Sequence, residues 1–283
     1  MHRIGRFAPS PTGDLHFGSL VAAIASYLQA KSAGGQWLIR VEDIDPPREV
    51  PGSADRILED LQRFGMQADQ PVLYQSDRSE AYQLAITNLL DQGQAYWCGC
   101  SRSDLPASGI YPGTCSAGLS KEKSPRSVRL RVNDVTLSFT DLVQGQIEEN
   151  LRELVGDFVI RRADGLAAYQ LAVVVDDAFQ GITEVVRGAD LLGSTARQIH
   201  LQNCLGLATP VYAHHPVAIG KDGMKLSKRL GSDPIASAPA AQVLEMALRF
   251  LGQPCPGGLS DRELWAWALS NWQLSRIPPL ITL

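Results

Sequence analysis

The chain begins with short apolar runs that alternate with longer segments of helical period. Arg3 to Ala8 has an extended pattern, and Pro9 and Pro11 halt it, since proline fixes φ and brings no N–H to a ladder. From Phe17 the period changes: Leu20, Val21, Ile24, Tyr27 and Leu28 share one helical face. Lys31 suits the negative C-terminal end of that helix, and Gly34 or Gly35 can cap it. The stretch QWLIRVEDID returns as a strand and stops at Pro46 and Pro47. Strand, helix and strand in succession form a βαβ unit and predict a parallel sheet. Ser53 to Gly65 predicts a further helix with Ser53 as N-cap and Gly65 as stop, and Ser79 to Gly93 another.

The pattern breaks at Tyr96 to Val135, where two close cysteines, several Gly, Ser and Pro, and the basic strand SVRLRV read as an insertion. The α/β pattern resumes at Asp157 with DFVIRR and YQLAVVVDDAFQGITEVVRGADL. The unbroken apolar run Leu171 to Val175 predicts a strand buried on both faces. A helix is expected from about Thr195 to Leu205, and a strand near Val217. The Pro- and Ala-rich remainder predicts helices near Ala240 to Leu251 and Ser260 to Trp272. The expected organisation is a first catalytic half over 1–94, an insertion over 95–156, a second half over 157–230 and a helical remnant over 231–283.

Composition narrows the class. At 283 residues, 45% hydrophobic and 20% charged, the chain is long enough to bury a full core. A net charge of −4 means that a nucleic-acid partner would need local basic patches. No apolar stretch has the length of a bilayer span, and Met1 to Arg6 lacks a secretory h-region, so a cytoplasmic location is expected. In that reducing setting the five cysteines are thiols or metal ligands.

Candidate chemistry gathers in four places. FAPSPTGDLHFGSL ends a strand, turns at Gly13 and opens a helix whose N-terminus suits an anion. His16 can donate to a phosphate oxygen there or simply cap the helix, and Gly18 lets a flat base approach the backbone. GMKLSKRLG carries Lys225 and Lys228 on a Gly-flanked loop, where two ammonium groups can follow a polyphosphate or remain solvated. Cys98, Cys100 and Cys115 are spaced for a zinc site or are free thiols, and no histidine lies nearby to complete a tetrahedron. Glu42, Asp43 and Asp45 form an acidic turn that is either solvated or metal-binding.

Together these residues bear a family likeness. His16-Phe17-Gly18-Ser19 resembles the HIGH motif of class I aminoacyl-tRNA synthetases in its glutamyl form, and Lys225-Leu226-Ser227-Lys228-Arg229 resembles KMSKS. RVEDIDPPR, GITEVVRGADL and TARQIHLQNCLG resemble further blocks of glutamyl-tRNA synthetase catalytic domains, over about residues 3 to 230. The resemblance implies an α/β, Rossmann-type parallel-sheet catalytic domain with an inserted zinc-containing subdomain and a short C-terminal helical region. It implies ATP, with Mg²⁺, and L-glutamate as substrates. It places Arg6, Phe7, Ala8, Pro9, Ser10, Glu42, Tyr169 and Arg187 around glutamate, with Arg187 as a bidentate fork for a carboxylate. His16, Gly18 and Lys228 would bind ATP, and His16, Lys225 and Lys228 would serve catalysis.

The spacing C-x-C-x10-Y-x3-C resembles a shorter paralogue in which an oxygen of Tyr111 completes a structural zinc site with the three cysteines. The aminoacylating enzymes have helical anticodon-reading domains after KMSKS, whereas here the chain ends soon after Lys228 with Trp265, Trp267 and Trp272 expected against the catalytic body. Leu191 stands where those enzymes carry His, and Arg229 replaces the last Ser of KMSKS. These departures resemble the glutamyl-Q tRNA(Asp) synthetase family, which activates glutamate without tRNA and transfers it to queuosine at the wobble position of tRNA(Asp). Expected partners are then ATP, L-glutamate and queuosine-containing tRNA(Asp), with no membrane, no DNA and a monomeric chain. Lys121, Lys123, Arg126, Arg129 and Arg131 are candidate phosphate contacts or a solvated basic face. Two alternatives remain: a shortened glutamyl-tRNA synthetase that esterifies a tRNA 3′ end, and a non-catalytic glutamate or adenylate sensor.

Overall fold

The computed structural model describes residues 3–134, 136–217 and 238–279. Strand β1 (Ile4–Phe7), helix α1 (Phe17–Lys31) and strand β2 (Gln36–Val41) form the expected βαβ unit, with β1 and β2 parallel and in register from Ile4 against Gln36 to Phe7 against Ile39. Helix α2 (Ser53–Arg63) and the short strand β3 (Leu73–Tyr74) follow, and β3 pairs parallel with β2. Gly52 rather than Ser53 is the cap of α2, and the Ser53 hydroxyl instead donates to the Gly13 carbonyl at 2.6 Å. That bond holds the Pro- and Gly-rich loop after β1 against the start of α2.

Helix α3 (Ser79–Asp91) leads into β4 (Ala95–Cys98), which joins β5 (Ser127–Leu130) and β8 (Phe158–Arg161) in an antiparallel sheet. A hairpin of β6 (Thr136–Asp141) and β7 (Gly145–Asn150) intervenes, followed by the one-turn helix α4 (Leu151–Leu154). Then come α5 (Tyr169–Phe179), β9 (Glu184–Gly188), α6 (Thr195–Leu205) and β10 (Val211–His215). The strand expected near Val217 is β10, ending at His215. β10 lies parallel to β9 on one side and to the end of β6 on the other, in the order β7-β6-β10-β9. The two parallel sheets meet where the Thr183 N–H donates to the Ile4 carbonyl at 2.9 Å. The carboxyl ends of β1, β2, β9 and β10 therefore face one cavity, at the point where the chain departs in opposite directions.

The expected strand Leu171–Val175 is instead the middle of α5. Val173 to Val175 favour strands locally, but this helix is packed on several sides, with Leu171, Ala172, Val173 and Val174 all buried. A helix buried nearly all round has the same unbroken apolar run as a central strand.

Helix α1 shows the same effect. Its apolar stripe was legible, yet Ala23, Ala25 and Ala30 are buried too. The sheet covers one side, and α7 (Ala240–Phe250) and α8 (Asp261–Asn271) cover the other. The tryptophans seat this cover: Trp265 Nε1 donates to the Phe64 carbonyl at 2.9 Å, and Trp272 Nε1 to Gln29 Oε1 at 2.7 Å. Trp267 packs on the same core. Among the described residues no helix is long and apolar enough to cross a membrane.

Four buried charges join α5 to the sheet. Asp177 accepts from Arg6 Nε at 3.2 Å and from Arg40 Nη1 at 2.7 Å, and Arg40 Nη2 reaches Glu42 Oε1 at 3.2 Å. Removing one member leaves an uncompensated charge in a dry site. Asp177→Ala should therefore lower the free energy of unfolding by about 3–5 kcal/mol, measured by urea denaturation. A loss under about 1 kcal/mol would mean that the cluster is hydrated like a surface pair.

Candidate active site and cysteine cluster

The strand ends enclose a cavity of about 400 Å³. Of the ten candidate substrate residues outside the lysine loop, all line it: Arg6, Phe7, Ala8, Pro9 and Ser10 from the end of β1, His16 and Gly18 from the start of α1, Glu42 after β2, Tyr169 opening α5 and Arg187 on β9. Lys225 and Lys228 lie outside the described residues.

Each side chain has a structural reason for its place. The Glu42 N–H donates to the Pro9 carbonyl at 2.9 Å, which ties the loop after β1 to the exit of β2. Glu42 is buried, and burial pushes its carboxyl above the ordinary range although Arg40 and Arg6 pull the other way. Such a carboxylate gains from a cation brought into the cavity. His16 caps α1, its Nδ1 accepting from the Ser19 N–H at 3.2 Å. That bond makes Nε2 the protonated nitrogen of the neutral ring. A methyl group on Gly18 would press on His16 Cε1 at 3.2 Å, so the glycine leaves room for the imidazole to fold over the helix start.

One edge of the Arg187 guanidinium is held by the protein. Its Nε donates to His214 Nε2 at 2.9 Å and its Nη2 to Thr195 Oγ1 at 2.9 Å. Nη1 is buried with no partner among the described residues. The Nη1 end of the guanidinium is thus the part open to a ligand, because the Nε–Nη2 edge is held by the protein. His215, absent from the sequence candidates, also lines the cavity. Its Nδ1 lies 2.8 Å from the Pro216 carbonyl, so Nδ1 carries the proton and Nε2 offers a lone pair that no group among the described residues meets. The only sequence signal for it was the His214-His215 doublet closing an apolar strand.

The acidic turn is not a metal site. Asp43 accepts from the Ser76 N–H at 2.9 Å, Asp45 from Arg48 and Arg162, and Glu42 from Arg40. The three carboxylates are thus turned to separate partners.

The cysteines do converge. Among the described residues, Cys98, Cys100 and Cys115 form the one group of three or more metal-binding side chains, their sulfurs within 4.8 Å of one another. Cys100 Sγ and Cys115 Sγ are 3.6 Å apart, and the Tyr111 hydroxyl is 3.3 Å from Cys98 Sγ and 3.6 Å from Cys100 Sγ. Four ligands at ordinary metal–sulfur and metal–oxygen lengths stand about 3.5–3.8 Å apart in a tetrahedron, so this donor set fits a metal ion. Burial opposes ionisation of Cys98, but hydrogen bonds from Tyr111, the Cys100 N–H and Arg129 outweigh it and bring the thiol down to about 7. Gly156 holds the loop in place at φ +67°, where a Cβ would collide with the Tyr111 carbonyl oxygen.

This cluster also reassigns part of the basic segment. Arg129 is buried, its guanidinium 3.7 Å above the Tyr111 ring and its Nε 3.4 Å from Cys98 Sγ. Arg131 donates to the carbonyls of Gly93 and Ser116, and Lys123 to Cys100 Sγ. Of the three only Arg129 is buried, while Arg131 and Lys123 are half-exposed with donors already given to carbonyls and sulfur. Lys121 and Arg126 are exposed.

Known proteins share this architecture. Residues 4–108 and 116–241 match the family described as tRNA synthetases class I (E and Q), catalytic domain. A protein of Dechloromonas aromatica named glutamyl-Q tRNA(Asp) synthetase is 53% identical over 97% of this chain and 95% of its own length. One of the same name from Pseudomonas aeruginosa is 53% identical over 99% and 97%. The crystal structure of a glutamate-tRNA synthetase from Elizabethkingia anophelis superposes with a TM-score of 0.83 at 27% identity, over 98% of this chain and 67% of that one. The chain belongs to the class I tRNA synthetases of the glutamyl and glutaminyl group.

Proposed function

We propose that this chain activates L-glutamate with ATP, without tRNA, and transfers the glutamyl group to queuosine at the wobble position of tRNA(Asp). The observation that carries the first half is the charge layout of the cavity. Glutamate presents one ammonium and two carboxylates, and the cavity presents the buried Glu42 carboxylate together with Arg6 and the unpartnered Nη1 of Arg187. Glu42 receives the ammonium, Arg187 the side-chain carboxylate, and Tyr169 and the Phe7–Ser10 backbone the remainder.

Activation needs no protein nucleophile. An oxygen of the α-carboxylate attacks the α-phosphorus of ATP, the bond to the bridging oxygen breaks, and pyrophosphate leaves with the electron pair. Catalysis is then positioning and charge stabilisation. The N-terminus of α1 suits phosphate oxygens, and the His16 Nε2–H, 3.1 Å from the Ser19 hydroxyl, would turn toward one. Lys225 and Lys228 are assigned to the developing charge on their sequence match alone, and Mg²⁺ accompanies ATP as its usual counter-ion. In the second half a queuosine hydroxyl attacks the activated carbonyl and AMP leaves. The names of the two relatives over 50% identical support that acceptor.

The cysteine cluster is assigned to one structural zinc ion on Cys98, Cys100, Cys115 and Tyr111. Zinc there would cross-link β4 to the loop beyond it and has no part in the chemistry.

Lys228→Ala should cut glutamate-dependent ATP–pyrophosphate exchange at least about tenfold with the fold intact by circular dichroism. Near-normal exchange would remove the lysine from the mechanism. Glutamate should transfer to tRNA(Asp) that contains queuosine and not to the same tRNA without it, and equal transfer to both would favour esterification of the 3′ end. Cys98→Ser should lower the zinc content by elemental analysis from about one per chain, whereas purified wild-type protein free of zinc would refute the site.

A further inference from the structure

Arg187 does not meet the cavity as an isolated cation. Behind it runs a buried chain of three groups from three elements: Asp141 at the end of β6, His214 on β10 and Thr195 at the start of α6. His214 Nδ1 lies 2.6 Å from Asp141 Oδ2, and both side chains have no exposed surface. Asp141 Oδ1 also accepts the backbone N–H groups of Val143, Gln144 and His214. The Gln144 side chain pins the strand by donating to the His214 carbonyl at 2.7 Å.

These bonds determine the proton positions. Burial opposes ionisation of Asp141, but the hydrogen bonds from His214, Gln144 and Val143 hold its carboxyl below the usual range. Burial also keeps His214 below its ordinary value, despite the pull of Asp141, so the ring is neutral. A carboxylate only accepts, so Nδ1 carries the hydrogen and Nε2 is left with a lone pair. That lone pair faces Arg187 Nε at 2.9 Å. With the other tautomer, two N–H groups would oppose each other. Thr195 Oγ1 holds Nη2, and Nη1 is the guanidinium nitrogen left without a partner among the described residues.

We propose that Asp141 and His214 are positioning residues that aim the Arg187 guanidinium, so that its Nη1 end alone meets the anionic end of the substrate. The identity of that substrate rests on the glutamate reading above; the aiming of the arginine does not. The pairing of Tyr212 with Asp141 brings the β6–β7 hairpin into the parallel sheet, so a segment that interrupts the catalytic pattern in sequence supplies the innermost member of the chain.

Two measurements on the full chain test this. In steady-state ATP–pyrophosphate exchange, Asp141→Asn and His214→Phe should each raise KM for glutamate at least about tenfold while KM for ATP and kcat stay within about threefold. The double variant Asp141→Leu/His214→Phe removes the buried carboxylate together with its imidazole partner and carries the comparison if a single variant fails to fold. It should resemble His214→Phe, because both groups act through one arginine. A glutamate KM within about twofold of wild type in folded variants, or glutamate and ATP KM values rising together, would overturn the proposal. Long-range proton–nitrogen correlation spectra of the ligand-free wild type should show His214 protonated at Nδ1 and bare at Nε2 at neutral pH. A proton on Nε2 would overturn the proposal whatever the substrate proves to be, and absence of glutamate-dependent exchange in wild type would count only against the glutamate reading.

Discussion

Asp177 is the constraint on which the rest of the site depends. It is a buried carboxylate on α5 that receives one arginine from β1 and another from β2. Arg6 and Arg40 balance Asp177 and Glu42, so four buried charges stand together without a net excess. The geometry has a direct consequence for the cavity. Arg40 holds Glu42 at the end of its own strand, and Asp177 holds Arg6 at the end of the next. Neither substrate-facing charge can swing away without stranding its partner. Preorganisation of this kind lowers the cost of ordering a small, highly charged ligand.

Two regions that the linear order keeps apart contribute to that arrangement. The cysteine cluster orders the loop after β4 and recruits Arg129 and Lys123 as supports for sulfur. The β6–β7 hairpin extends the parallel sheet and places Asp141 behind the histidine of β10. One part of the interruption is thus stabilised by its own donor set, and the other stands behind the Arg187 that lines the cavity. The C-terminal helices play a third part: they bury the face of α1 away from the sheet and so hold the helix whose N-terminus opens onto the cavity.

Much of the fold was legible along the chain. The βαβ unit, α1, α3, α6 and the two C-terminal helices all appear where period and breakers place them. The error at Leu171–Val175 is instructive, because burial on all sides erases the periodicity that separates helix from strand. Within the site, Arg6, Glu42, Tyr169 and Arg187 were found through motif blocks and are brought together as expected. Asp177, Arg40, Asp141 and His214 were not. Their roles come from pairings between residues more than a hundred positions apart, or between neighbouring strands, and no local pattern records such a partner.

The residue order alone determined the class of chemistry. A strand, a Gly- and Pro-rich turn, a helix start with His16, and a lysine pair far downstream point to a nucleotide, because backbone N–H groups and flexible ammonium groups suit phosphates wherever they are placed. Three cysteines at close spacing pointed to a metal for a similarly local reason. Tertiary structure decided which end of Arg187 meets the ligand, which arginines are internal and which side of α1 is covered. Those outcomes depend on which groups are desolvated together. Desolvation is a property of the packed interior, so it emerges only when distant segments exclude water from the same place.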